Sequence, residues 1–146
     1  MATIVKFRME EGSEDIAPYK AHHDDAGYDL HSKQDMELPP GLVKLVPTGL
    51  FLELPEVFEA QVRPRSGLAL KHGITILNTP GTIDAGYRGE VGVIMLNTQT
   101  EPFSVKRGMR IAQMVIQRLP EVDLVAADAL AESIRGDGGF GSTGHH

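Results

Sequence analysis

The sequence predicts an all-β fold, a sandwich or barrel of the jelly-roll kind. Three observations predict it. About ten short segments are rich in β-branched residues or alternate apolar with polar ones. Turn signals built from Gly, Pro, Asn and Asp recur roughly every 6–12 residues. A single stretch carries both a helix start and a helix stop. No internal repeat or second domain is visible, and 146 residues suit one domain with one core.

In chain order, residues 2–9 read as a first strand and 11–25 as a polar, irregular stretch. Within it, His22-His23-Asp24-Asp25 has the composition of a metal cluster. Neighbours on an extended chain point to opposite faces, so a solvated loop is the better reading. Residues 26–32 bend tightly into a strand. Asp29 there is either a turn-forming Asp or a carboxylate facing a ligand. A turn at 38–41 precedes three strands, 42–48, 49–54 and 58–63, punctuated by Pro47 and Pro55. Ser66 is expected to cap a short helix that Gly73 ends. The free N–H groups of such a start, with Arg65 beside them, attract anions. An ordinary capped turn of helix is the alternative.

After a strand at 74–77, the chain enters its most loaded stretch, residues 78–90. Glycines at 81, 86 and 89 allow tight turns and close approach of a ligand. One carboxylate, Asp84, and one flat aromatic, Tyr87, lie between them, and an apolar strand, 91–96, follows. The stretch reads as a β-hairpin built to hold something flat. A strand at 102–105 and a turn at 106–108 lead to a strong strand, 110–119, whose apolar run is broken by Gln113. A buried amide there is a structural hydrogen-bonder or a ligand contact. Residues 122–134 read weakly, with one more short strand at their start. Residues 135–144 carry five glycines, an Arg, a Phe and two hydroxyls. By composition this is a flexible tail. The same inventory suits a flap: glycines to bend, Arg and Ser for phosphate, Phe to stack on a base. The terminal pair His145 and His146 reads as tag-derived.

Apolar content of 41% and charged content of 23% are those of a soluble globular protein. No apolar run is long enough to span a bilayer. The N-terminus carries no basic-then-apolar signal, so a cytoplasmic location without membrane partners is expected. Without cysteine there is no disulfide, thiolate metal site or cysteine nucleophile. A net charge of −6 argues against nucleic acid as a partner. Yet Arg63, Arg65, Arg88, Arg110 and Arg135 all lie in or beside Gly-rich or strand-end segments, so a local anion site is open.

Five motifs stand in order along the chain: Ala26-Gly27-Tyr28-Asp29-Leu30, then Pro64-Arg65-Ser66-Gly67-Leu68-Ala69, then residues 81–90, then Arg110-Ile111-Ala112-Gln113, then residues 135–144. Their order and spacing resemble the trimeric dUTP diphosphatases (dUTPases) over residues 3–144. The resemblance implies a jelly-roll-like barrel in residues 1–134, with one short helix after the second motif. Residues 135–146 would form a flexible Gly-rich tail closing over the active site. It also implies Mg²⁺-assisted hydrolysis of dUTP to dUMP and pyrophosphate. That reaction limits uracil incorporation into DNA and supplies dUMP for thymidylate synthesis. The implied assembly is a homotrimer whose three sites each draw on all three chains.

The resemblance assigns roles to named residues. Asp84 is the implied base that takes a proton from water, and Gln113 positions the water or the α-phosphate. Asp29 holds Mg²⁺ through water. Arg65, Ser66 and Gly67 grip the α- and β-phosphates. Arg135, Ser142 and Thr143 clamp the γ-phosphate, while Phe140 and Gly141 belong to the closing tail, with Phe140 stacked on uracil. Tyr87 packs under the deoxyribose and leaves no room for a 2′-hydroxyl. Asn78 reads the uracil edge with the backbone around Thr82 and Ile83. Arg88 and Arg110 are expected in structural ion pairs. The nearest rival is a dCTP deaminase, which shares the fold and part of the second motif but lacks the full tail. A non-catalytic jelly-roll protein is the rival from another class.

Overall fold

The computed structural model describes residues 1–141. Among them are ten strands, one α-helix and one 3₁₀ turn. In order these are β1 (Lys6–Met9), the 3₁₀ turn (Glu14–Ile16), β2 (Tyr28–His31), β3 (Met36–Leu38), β4 (Val43–Glu53), β5 (Phe58–Arg63), α1 (Ser66–His72), β6 (Ile74–Ile76), β7 (Gly81–Ile83), β8 (Glu90–Asn97), β9 (Phe103–Val105) and β10 (Arg110–Arg118). Two four-stranded sheets form, β1-β4-β8-β6 and β2-β10-β5-β7, with β3 and β9 as a separate pair. The pairings are antiparallel throughout. Non-sequential neighbours such as β4 and β8 give the crossed connections of a jelly-roll-like double sheet.

Alternation explains which side chains meet between the sheets. In β8, Val91, Val93, Met95 and Asn97 are buried, and the residues between them face outward. The core joins them to Leu30, Leu38, Val46, Leu50, Ile74, Ile76 and Ile111. Asn97 is wholly buried yet satisfied: its amide donates to the carbonyls of Leu38 and Glu101, and its oxygen accepts from Gln99 N. An unmade bond there would cost about 1–3 kcal/mol, so Asn97 ties the strand end rather than weakening the core.

Four local expectations change. Residues 43–53 form one strand, not two; Pro47 and Gly49 mark a register shift against β8, where Pro47 faces Gly92 and Phe51 faces Glu90. Pro47 has no N–H to lose from a ladder interrupted there. The stretch around 81–90 is not a hairpin. β7 pairs with β5 in one sheet and β8 with β4 and β6 in the other, so residues 84–89 carry the chain across from sheet to sheet. Ser66 is the first helical residue rather than the cap; extended Arg65 takes that position and no side chain caps the turn. Gly73 ends α1 as expected, in the left-handed region at φ 61°. No strand forms within residues 119–134, where Leu124, Leu130 and Ile134 are fully exposed.

Candidate active site

The middle of the second sheet brings two predicted residues together. Gln113 on β10 lies opposite Asp29 on β2 and opposite Arg63 on β5. Directly opposed residues share a face. The chain leaves β5 through Pro64 straight into α1, which sets Arg65, Ser66 and Gly67 at the same place. A cleft of about 170 Å³ results, lined by Asp29, Arg65, Ser66, Gly67 and Gln113. Three separate motifs thus meet at one cleft.

Three of the lining groups, Asp29, Arg65 and Gln113, are held by neighbours. Gln113 donates from Nε2 to the Pro64 carbonyl at 3.0 Å, so its amide is a structural hydrogen-bonder and lines the cleft as well. Gly27 makes room for it: a Cβ there would lie 3.0 Å from Gln113 Oε1 and 3.2 Å from its Cβ. The Asp29 carboxylate stands between two guanidinium groups, Arg65 Nε at 3.9 Å and Arg110 Nη1 at 3.6 Å. These pairs are long and partly exposed and contribute little stability. They leave a cleft with more positive than negative charge in an acidic protein. Arg110 forms the expected ion pair. Among the described residues Arg88 forms none: it donates to the carbonyls of Ala85 at 2.7 Å and Tyr87 at 3.3 Å, closing the crossing loop.

The other predicted residues lie elsewhere. Asp84 and Tyr87 sit on the exposed crossing loop, where Tyr87 N donates to the Asp84 carbonyl. The Tyr87 ring folds back over Gly89, where a Cβ would meet Oη at 2.4 Å, and its hydroxyl donates to the Glu90 carbonyl at 2.8 Å. Asn78 is exposed, with its amide beside Gly81. Thr82 points outward, whereas the Ile83 side chain is buried, leaving its backbone as the accessible part. β7 is the last strand of its sheet, so one of its edges is unpaired among the described residues.

Register measures the separation of the two groups. Extending the β5–β7 register puts Asp84 opposite Glu59, and Glu59 faces Gln117, one strand further on. Asp84 and Gln113 are therefore four residues apart along the strands and two strands apart across the sheet. At about 3.3 Å per residue and 4.8 Å per strand, their backbones lie about 16 Å apart. Side chains and one water do not bridge that gap.

The described tail curls on itself. Arg135 Nε donates to the Gly138 carbonyl at 2.6 Å, and Phe140 is fully exposed with φ 53°. Gly141 is the last described residue; Ser142 and Thr143 lie outside the described residues. Residues 22–25 form a turn in which His22 N donates to the Asp25 carboxylate.

Sequence reasoning gave no role to Lys33 or Glu90. The Glu90 carboxylate accepts from Gly49 N at 2.8 Å and meets Lys33 Nζ at 3.2 Å; Lys33 also pairs with Glu10 at 2.7 Å. The Glu10 carboxylate, seconded by Glu90, holds the Lys33 ammonium above its ordinary range. The one signal for Glu90 is its place directly after Gly89.

A family model described as dUTPase matches residues 14–144. The chain belongs to the dUTPase family. It is 58% identical over 129 residues to the deoxyuridine 5'-triphosphate nucleotidohydrolase of Gloeothece citriformis (strain PCC 7424), covering 88% of this chain and 89% of that one. To the protein of the same name from Clostridium novyi (strain NT) it is 52% identical over 141 residues, 96% and 99% of the two chains. Among solved structures it resembles Staphylococcus bacteriophage 80alpha dUTPase with dUPNHPP, at a TM-score of 0.89 and 25% identity, covering 99% of this chain and 100% of that one. The family read from the five motifs and the all-β, jelly-roll-like fold are both borne out. No helix among the described residues is long and apolar enough to cross a membrane.

Proposed function

We propose that the chain is a dUTP diphosphatase, hydrolysing dUTP to dUMP and pyrophosphate. The observation that carries this is the cleft in which Asp29, Arg65, Ser66, Gly67 and Gln113 converge, in a chain of the dUTPase family. A guanidinium, a hydroxyl and backbone N–H groups suit the α- and β-phosphates. The Gln113 amide orients the attacking water or the α-phosphate. Water attacks the α-phosphorus, Asp84 takes its proton, and the bond from α-phosphorus to the bridging oxygen breaks to release pyrophosphate. The second Asp84 oxygen holds the sugar 3′-hydroxyl.

The 16 Å separation supports a shared site, in which Asp84 from one copy would meet the Gln113 cleft of another. A homotrimer is proposed, and two apolar surfaces support it. The outer face of the first sheet sets Val43 opposite Leu96 and Leu45 opposite Ile94, with Val43 and Leu45 exposed. The segment 122–134 offers Val122, Leu124, Val125 and Leu130 to solvent. Contiguous exposed apolar surface marks an interaction site. Arg135, Ser142 and Thr143 would clamp the γ-phosphate as the tail closes, with Phe140 on the uracil. Asn78 and the free edge of β7, at Thr82 and Ile83, would read the uracil edge as a strand edge reads an added peptide.

Magnesium belongs to the same proposal. No three His, Cys, Asp or Glu side chains converge on a cation site among the described residues. Asp29 is the cleft's one carboxylate, and two arginines stand close to it. Such a donor set does not strip Mg²⁺ of water, but it suits a hydrated ion already carried by a triphosphate, with Asp29 reaching it through water. When bound, the ion neutralises phosphate charge. A cytoplasmic location is proposed as well, and the absence of cysteine fits it.

Pyrophosphate release with Mg²⁺ is the test, comparing dUTP, dCTP, dTTP and UTP, with ammonia followed in parallel. Turnover of dUTP alone without ammonia is expected; ammonia from dCTP would replace this reading with a deaminase. Tyr87→Ala is expected to raise UTP turnover relative to dUTP by at least about tenfold. An unchanged ratio would remove Tyr87 as the sugar gate. Gly27→Ala is expected to push the Gln113 amide aside, lowering stability by about 1 kcal/mol and kcat about tenfold. Thermal unfolding and steady-state kinetics read the two effects separately.

A further inference from the structure

We propose that the Lys33–Glu90 ion pair sets the sugar selectivity of the site from behind, by fixing the backbone carbonyl that holds Tyr87. The inference rests on the reading of Tyr87 as the floor beneath the deoxyribose. Neither residue lines the substrate cleft, so both are positioning residues.

The linkage runs through contacts at the start of β8. The Tyr87 hydroxyl donates to the Glu90 carbonyl at 2.8 Å. Glu90 is the first residue of β8 and faces Phe51, beyond the register shift. Backbone pairing with β4 is interrupted there, between Pro47 and Phe51. Side chains take over in the gap. Thr48 Oγ1 donates to the Val91 carbonyl at 2.5 Å and accepts from Leu50 N. The Glu90 carboxylate accepts from Gly49 N at 2.8 Å. Lys33 closes the arrangement against Glu90 and Glu10, at 3.2 and 2.7 Å. Its own N–H is fixed to the Pro47 carbonyl at 2.9 Å. The Lys33 and Glu90 side chains are only 21% and 29% exposed, so solvent replaces the pair poorly.

Glu90 is thus held by its pairing with Phe51 and, across the interruption beside it, through its side chain, and Tyr87 is held through the Glu90 backbone. Removing the ammonium leaves two carboxylates facing each other, which separates them. The start of β8 then shifts, and the Tyr87 ring loses its fixed height. A gate that works by clash is sensitive to such a shift, because selectivity depends on the space left for one hydroxyl.

The test uses Lys33→Ala and Lys33→Arg in the full chain. The chain has three tyrosines, Tyr19, Tyr28 and Tyr87. Labelling with 3-fluorotyrosine therefore gives three ¹⁹F resonances, and Tyr87→Phe identifies one of them. Lys33→Ala is expected to move or broaden the Tyr87 resonance and to lower the preference for dUTP over UTP about tenfold. That loss should come from a higher kcat/KM for UTP and a higher KM for dUTP, with kcat for dUTP little changed. Lys33→Arg, which keeps the cation, is expected to restore both readouts. A merely structural role would lower the melting temperature and leave the preference intact. A folded Lys33→Ala with unchanged preference overturns the proposal, whether or not the resonance moves. If Lys33→Ala does not fold, the milder Glu90→Gln is judged by the same two readouts. Failure of the underlying reading looks different: the wild-type chain would not prefer dUTP to UTP at all.

Discussion

Asp84→Asn is expected to lower kcat for dUTP by about a thousandfold, in the range for losing a positioned general base. Binding of a non-hydrolysable dUTP analogue should stay within about threefold, because Asn keeps the shape and part of the hydrogen-bonding capacity. The fold should not be affected. Asp84 is exposed, no side chain among the described residues bonds its carboxylate, and its contribution to the crossing loop is a backbone carbonyl that accepts from Tyr87 N. A fall in kcat without a change in melting temperature or affinity therefore isolates the proton transfer. Residual activity above about a tenth of wild type would remove Asp84 as the base and leave Gln113 and phosphate charge neutralisation to carry the reaction.

The elements legible in the sequence are those whose signal is local. β8 is legible as a strand from its apolar run, 91–96, although the run does not say which residues face inward; burial alternates along it. The apolar run of β10 reads as a strong strand and is one, lying between β2 and β5. Gly73 marks the end of α1 because a left-handed turn there needs no Cβ. The misread elements depend on partners distant in sequence. The glycines at 81, 86 and 89 say that the chain turns, not that β7 joins β5 while β8 joins β4. Pro47 and Gly49 look like strand ends, but the antiparallel partner on β8 continues past them. Residues 122–134 have the apolar content of a strand but pair with none of the sheet edges, and their apolar side chains stay exposed.

The same division runs through the candidate site. Residue types at five motifs were legible, and the cleft groups three of those motifs as read. Two things were not. Gly27 and the Pro64 carbonyl act by geometry, one as vacant space for Gln113 and the other as its acceptor. The 16 Å gap between Asp84 and Gln113 follows from a two-strand register, which single-chain spacing does not contain.

Deleting residues 135–146 is expected to leave a folded assembly with turnover reduced about a hundredfold or more, if the tail acts as proposed, clamping the γ-phosphate and excluding water. The exposure of the described part of the tail supports the first half: Phe140 is fully exposed and buries nothing on its own barrel. The decisive version mixes this truncation with Asp84→Asn. Each variant alone is inactive, the first for want of a tail and the second for want of a base. If the copies refold together, a competent site needs Asp84 from a truncated chain and a tail from a substituted one. When base and tail come from different copies, random association of two equally abundant chains makes about a quarter of the sites complete. Recovery of about a quarter of wild-type activity would establish that base and tail are exchanged between chains. If both came from the same copy, no mixture would contain a complete site and no activity would return. The experiment therefore tests whether base and tail come from different copies, independently of the size of the assembly.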